Sequence, residues 1–388
     1  MTPASDAVGA EQTGLSSVRF VDPHHDASRP HATVAATTAR PLPRAVAPLE
    51  AVVHGAGRSW SLPEWVRGTH TTSLLALDRG TVVHEWYAEG VGPGSLLLGA
   101  SMSKSALAHL VAVAVGAGAL RLDDGVVDHV PELRGSGYDG CAVAHVLTMT
   151  TGTAWVEDHR DAAGPASRLL ASFFAGESSR ARLAAVAPAE PPGTRWCYST
   201  ADSQVLDWVR ERATGATYAE ALGTLWRQLG CVRDAVVAVD GEGVALAGGG
   251  LAACAEDWLR LAALQLDGTA YDARVLPAGW VEAASAAAYP FTAPGRLPST
   301  ITTHAGFGRH WWPLTADGRR VVADGSRGQL GYVDRDLGVA VLKTSLWPYD
   351  DPWVDRQQRD LSYLGLPLVA TAARLSTRST PEQKEATS

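Results

Sequence analysis

Lysine is nearly absent from this chain. Of 33 Lys and Arg side chains, only Lys104, Lys343 and Lys384 are lysines. Where a fixed positive charge suffices, the protein uses arginine. Cysteine is scarce as well: Cys141, Cys197, Cys231 and Cys254 are scattered over 388 residues without a Cys-x-x-Cys pair. That excludes a disulfide scaffold and a zinc ribbon, and it reads as buried thiols in a reducing compartment. No run of about 18 apolar residues occurs, so no membrane-spanning helix is expected. The longest candidate, "LVAVAVGAGAL" at 110–120, is too short and ends in charge. Basic residues form no stripe and the net charge is −8, so neither nucleic acid nor an anionic membrane is an expected partner. The first twenty residues have no basic start followed by an apolar run, and the expected location is cytoplasmic. His-Glu-x-x-His, Gly-x-Gly-x-x-Gly and a Walker loop are all missing, so no metal or nucleotide cofactor is expected. "HHDASRPH" at 24–31 has no second ligand cluster and reads as a solvated segment.

What is present suits a folded, globular protein. Apolar residues make up 46% of the chain and charged residues 19%, enough for a sizeable core. Residues 1–45, rich in Pro, Ala, Ser, Thr and His, read as a tail or wrapping arm. The stretch 71–90 alternates around Arg79-Gly80 as a β-hairpin. From Ser101 to about 235 the periodicity is helical, beginning with a helix apolar on most faces. A Gly-rich turn at 248–250 leads into a further helix. Short alternating runs follow, with turns at Asp317-Gly318 and Asp336-Leu337, and then a last helix up to about 375. Strands, helical block, strands, helix: this order predicts an α/β (α+β) fold, an antiparallel sheet flanked by helices with an inserted all-helical subdomain. The expected units are 46–100 plus 236–375 for the α/β part, 101–235 for the helical part, and a disordered tail at 376–388.

The chemistry concentrates at "GASMSKS", residues 99–105. Positions i and i+3 share a helix face, so Ser101 and Lys104 can meet. A serine hydroxyl needs a base to become a nucleophile. A lysine serves if burial lowers its pKa, whereas arginine does not deprotonate in proteins. The sole Ser-x-x-Lys of an arginine-preferring chain therefore has a chemical reason. Gly-x-Ser-x-Gly is not matched, because Ser103 stands at the final glycine position. Tyr198, just before a helix that Ser199 or Thr200 caps, is a candidate proton relay. Six tryptophans, Trp155, Trp196, Trp311, Trp312, Trp347 and Trp353, either line an acceptor site or belong to the core.

Taken together, "SMSKSALAHLVAVAVGAGALRLDDGVVDHVPEL", "VAHVLTMTTG", "YSTAD", "AGGGLAACAEDWLRLAALQLDG" and "GQLGYVDRDLGVAVL" resemble, in this order, the serine β-lactamase-like, penicillin-recognising superfamily. Within it they are most similar to the 6-aminohexanoate-dimer hydrolases. The resemblance spans roughly residues 70–365. It implies a β-lactamase/transpeptidase-like fold with the site between its two subdomains. It carries the nucleophile onto Ser101, the base onto Lys104 and the relay onto Tyr198. It places the oxyanion on the backbone N–H groups of Ser101 and Gln329, taking Ser326-Arg327-Gly328 as the third motif. It makes Asp202 a polar contact to substrate or Lys104, and leaves Lys343 structural. Four positions depart from the relatives. His159 stands where they bind substrate with a tyrosine, Asp202 where they often carry Asn, Gly248 where they carry Asn, and Arg327 where they carry a third-motif Lys or His. With Trp155 these form the expected substrate-binding set. Arg327 suits a carboxylate grip, hence an anionic or strongly polar substrate end. The expected function is cleavage of a small-molecule amide or ester through an acyl-enzyme. The alternatives are transfer of the acyl group to an amine or alcohol, and a catalytically inactive ligand-binding protein on the same fold.

Overall fold

Arg79 and Gly80 both adopt left-handed backbone, φ 46° and 80°, as a two-residue turn between right-twisted strands requires. They join Thr71–Asp78 to Thr81–Tyr87, the predicted hairpin. The computed structural model describes residues 30–159, 161–291, 304–347 and 356–378. The hairpin forms one side of a six-stranded antiparallel sheet. In spatial order the strands are Trp312–Pro313, Arg320–Gly325, Gln329–Asp334, Val339–Ser345, Thr71–Asp78 and Thr81–Tyr87.

Both faces of this sheet are covered, and the two-residue period divides its side chains between them. Leu75, Leu77, Ala323, Ala340 and Leu342 join the core beneath the helices Ser103–Gly116 and Ala255–Ala263. Leu74, Ala76, Val322, Tyr332 and Val341 pack with Trp65 and the C-terminal helix Arg356–Arg378. The block between Leu98 and Ala235 is helical, as expected, with Thr200–Thr214, Ser103–Gly116 and Tyr218–Leu229 its longest members. Gly215 closes the first of these in the left-handed conformation (φ 71°), and a Thr217/Glu220 capping box opens the second. The same buried cluster runs from the sheet into this block, through Leu107, Val146 and Val205. Among the described residues no helix is long and apolar enough to cross a membrane.

Two boundaries shift. His31–Val34 is a strand paired with Ala235–Ala238, in a four-stranded sheet completed by Leu251–Ala253 and Leu97–Leu98. Further along the arm, Arg44 bridges Glu85 (3.0 Å) and Glu256 (2.6 Å), so this part of residues 1–45 wraps the body and is no loose tail. The last helix continues to Arg378, three residues beyond the expected end. Most of "HHDASRPH", Trp353 and the tail from 379 lie outside the described residues.

His109 sits fully buried in the first helix of the block. Its Nε2 lies 3.0 Å from the Leu261 carbonyl and its ring 5.7 Å from that of Trp311. Burial lowers its pKa to about 4. The unfolded chain binds this proton below pH 6.5 and the folded chain only near 4, so stability falls as pH drops through that window. A His109→Leu variant is expected to flatten urea stability between pH 6.5 and 4, by up to about 1.4 kcal/mol per pH unit. An unchanged slope refutes the assignment.

Candidate active site

Ser101 lies in a single 3-10 turn, Ala100–Met102, directly before the helix Ser103–Gly116. The turn is held tightly. Gly99 donates its N–H to the Leu251 carbonyl (2.9 Å), and Met102 donates to that of Gly99 (3.0 Å). A Cβ on Gly99 would lie 2.3 Å from the Trp258 ring, so no larger residue fits. Ala100 is left-handed (φ 45°), unusual for a residue with a side chain and a sign of strain stored beside the serine.

Lys104 is 3% exposed. Its Nζ donates to Ser101 Oγ (3.1 Å), Thr200 Oγ1 (3.1 Å) and the Gly248 carbonyl (2.7 Å). Burial lowers its pKa to about 8, against an opposing pull from the Glu157 carboxylate. At pH 7 about one amine in ten is then neutral and able to take a proton. Tyr198 faces the same point. Its ring centre is 5.0 Å from Lys104 Nζ, and its phenol interacts with the Ser101 side chain. Burial, then the charge of Glu157, hold the phenol well above its usual pKa, so it is a neutral hydroxyl. Trp312 stacks on the ring at 5.6 Å and 26° and fixes its plane. The structure thus brings together Ser101, Lys104 and Tyr198 as the sequence suggested.

Other expected site residues take different parts. Asp202 does not reach Lys104. As the third residue of a helix capped by Ser199, it turns inward and is fully buried. There it accepts from Tyr138 (3.0 Å), Thr151 (3.0 Å) and Ser199 (2.9 Å), and burial pushes its pKa up to about 7. Thr200, two residues earlier, makes the contact to Lys104 instead. Gly248 is buried rather than open to substrate. Its carbonyl holds Lys104, its N–H donates to Gln204 (3.0 Å), and a Cβ would lie 3.0 Å from that of Ser203. Trp155 is core, 2% exposed, with its indole N–H donating to Glu157 (2.6 Å). Trp196, Trp311, Trp312 and Trp347 are buried too, so these tryptophans form core rather than an open acceptor surface.

Gln329 also changes part. Its amide N–H groups reach the carbonyls of Ser326 (3.4 Å), Arg327 (3.3 Å) and Ser345 (2.6 Å), tying down the turn before it. The strand makes its closest approach to the nucleophile three residues earlier than expected. A Cβ on Gly325 would lie 2.2 Å from the Gly99 carbonyl and 2.9 Å from Met102 N, whereas one on Gly328 would strike Trp347. The glycine pressed against the nucleophile turn is therefore Gly325, and the residue after it is Ser326. Arg327 lies in the following turn, half-buried and left-handed (φ 61°). His159 is partly exposed, its Nε2 3.2 Å from Glu157 Oε1. The sequence reading missed Thr200 and Glu157. The first is the second residue after Tyr198; for the second, in "WVED", no sequence signal stood out.

An antiparallel sheet interrupted by a helical block, with a buried lysine behind a serine at the head of its first helix, is the architecture of the β-lactamase-like serine hydrolases. Residues 63–363 match the family described as Beta-lactamase, and the chain belongs to it. It is 31% identical over 333 residues to a 6-aminohexanoate-dimer hydrolase of Paenarthrobacter ureafaciens, covering 81% of each chain. A Bacillus anthracis protein provisionally described as a 6-aminohexanoate-dimer hydrolase superposes with a TM-score of 0.78 at 17% identity, over 97% of this chain and 99% of that one. EstCE1, described as a hydrolase with promiscuous acyltransferase activity, gives 0.59 at 17% identity, over 78% of this chain and 98% of that one.

Proposed function

We propose that Ser101, Lys104 and Tyr198 are the catalytic centre of an acyl-enzyme that hydrolyses a small amide or ester. The observation that carries this reading is the buried amine of Lys104, lowered to about 8 and 3.1 Å from the Ser101 hydroxyl, which Tyr198 also meets. In its neutral form Lys104 takes the Ser101 proton as the oxygen attacks the substrate carbonyl. The oxyanion accepts from the backbone N–H groups of Ser101 and of Ser326, the residue after the glycine pressed against the nucleophile turn. Tyr198, drawing on Lys104, protonates the leaving amine or alcohol, and water then releases the acyl group by the same proton path in reverse. The Paenarthrobacter relative, described as a hydrolase of a small dimer, supports a small-molecule substrate.

The test is mass spectrometry of the intact protein with candidate esters and amides, with and without an added amine. An adduct that water clears supports a hydrolase. One that clears much faster with the amine makes the protein a transferase. An adduct that persists in a Ser101→Ala variant overturns the centre itself.

Arg327 belongs to this proposal as the grip on a carboxylate. Arg327→Ala is expected to raise KM about tenfold for substrates bearing a carboxylate and to leave their neutral analogues within twofold. Steady-state kinetics on such a pair decides it, and an equal effect on both removes the assignment.

A further inference from the structure

Glu157 has no part in the steps above, yet it is the charged group most firmly built into the wall behind them. Its side chain is 10% exposed and accepts from four donors. These are the indole of Trp155 (2.6 Å), the backbone N–H of Thr200 (2.8 Å), the hydroxyl of Thr200 (2.5 Å) and His159 Nε2 (3.2 Å). One hydroxyl separates it from the catalytic amine, since Thr200 Oγ1 is also 3.1 Å from Lys104 Nζ.

A hydroxyl has one proton to give. That of Thr200 is given to the carboxylate, so toward Lys104 its oxygen can only accept. The Gly248 carbonyl likewise can only accept. A neutral lysine amine has two N–H groups and one lone pair. With both N–H groups claimed by Thr200 and Gly248, the lone pair is left facing Ser101. A carboxylate, which cannot donate, imposes this order on the chain of hydrogen bonds.

We propose that Glu157 is a positioning residue of this enzyme, which through the Thr200 hydroxyl aims the Lys104 lone pair at Ser101 and, by its charge, sets the pH range in which Lys104 acts as base. The inference rests on the proposed Ser101–Lys104 centre. The titratable groups around the amine are Glu157, Tyr198, His159 and His310. Burial holds His310 uncharged, at about 3, and Tyr198 is uncharged for the same reason. His159 is raised, with burial opposing and the Glu157 bond and charge favouring its proton. Among the described residues Glu157, pulled to about 2 against the cost of its burial, is the one anion that supports the lysine ammonium. Losing its charge must lower the pKa of Lys104.

The experiment measures the rate of labelling by a fluorophosphonate between pH 5 and 10, on the full chain. In that reaction the Ser101 oxygen bonds to phosphorus, fluoride leaves and the serine proton passes to Lys104, so no substrate need be known. Wild type is expected to gain rate as pH rises through the pKa of Lys104. In Glu157→Gln, of the same shape, this limb is expected to move down by about one pH unit, with a plateau lowered about tenfold because Gln can also donate to Thr200. Thr200→Val is expected to lose 10- to 100-fold of the plateau rate, in round numbers, and Thr200→Ser to regain most of it. A limb that stays in place or moves up in Glu157→Gln overturns the inference. So does a Thr200→Ser variant as slow as Thr200→Val, which also decides the matter if Glu157→Gln does not fold. Failure of wild type to label at all sinks the catalytic centre instead.

Discussion

Replacing Ser101 with alanine is expected to abolish fluorophosphonate labelling and to lower kcat/KM on any ester or amide the enzyme accepts by about 10⁴-fold or more. The reason is chemical rather than structural. Ser101 Oγ accepts from Lys104 and faces Tyr198, and the turn that carries it is held by backbone bonds from Gly99 and Met102 and by the Trp258 ring against Gly99. Alanine removes the contacts to Oγ and leaves the backbone bonds and the Trp258 contact in place. The melting temperature of the variant is therefore expected to equal or exceed that of wild type, because a strained nucleophile turn that includes a left-handed Ala100 loses nothing it needs for folding. Labelling that survives in a folded Ser101→Ala protein would mean that a different side chain is the nucleophile. The partly exposed Cys197, adjacent to Tyr198, is the first to check.

The contrast between residues that were legible in the sequence and those that were not has a physical basis. Ser101 and Lys104 were legible because three residues of helix suffice to bring them together. Tyr198 was legible through the helix start beside it and the order of motifs around it. The hairpin at Arg79-Gly80 and the helix closed by Gly215 follow from local backbone chemistry. Asp202 misled because its side chain had two uses. In the folded protein the cap by Ser199 and three hydroxyl donors draw it into the core, and the shorter Thr200 makes the polar contact to the amine. The third motif misled because glycines stand at both 325 and 328. Nothing local tells them apart. The difference is what each presses against, the nucleophile turn for one and Trp347 for the other, and that depends on strands far apart in sequence. Glu157 was invisible for the same reason, since its partners Thr200 and Lys104 are 43 and 53 positions away.

Lys104→Arg is expected to be as inactive as Lys104→Ala, each losing about 10³-fold or more in kcat/KM. If Lys104 acted only as a fixed charge, arginine would restore part of the rate, and this chain elsewhere accepts arginine in nearly every basic position. A guanidinium, however, stays protonated across the working pH range and offers Ser101 no lone pair. Its larger head must also fit where a Cβ on Gly248 would already be 3.5 Å from the amine, so inactivity of the arginine variant alone could reflect a poor fit. A second variant separates the two causes. Lys104→Cys, made in a Cys197→Ser background and alkylated with bromoethylamine, rebuilds an amine of almost the same length on a sulfur-containing stem. The other three cysteines, Cys141, Cys231 and Cys254, are buried, and the Cys197→Ser protein with Lys104 in place, treated with the same reagent, reports any reaction at them. Restored activity with the amine, and none with arginine, is the signature of a base. The rebuilt amine is less basic than lysine, so the rising limb of kcat/KM, expected near pH 8 in wild type, should move to lower pH in the alkylated protein. Activity that rises with arginine, or a limb that ignores the change of amine, would instead make Lys104 a structural cation and move the search for the base to Tyr198.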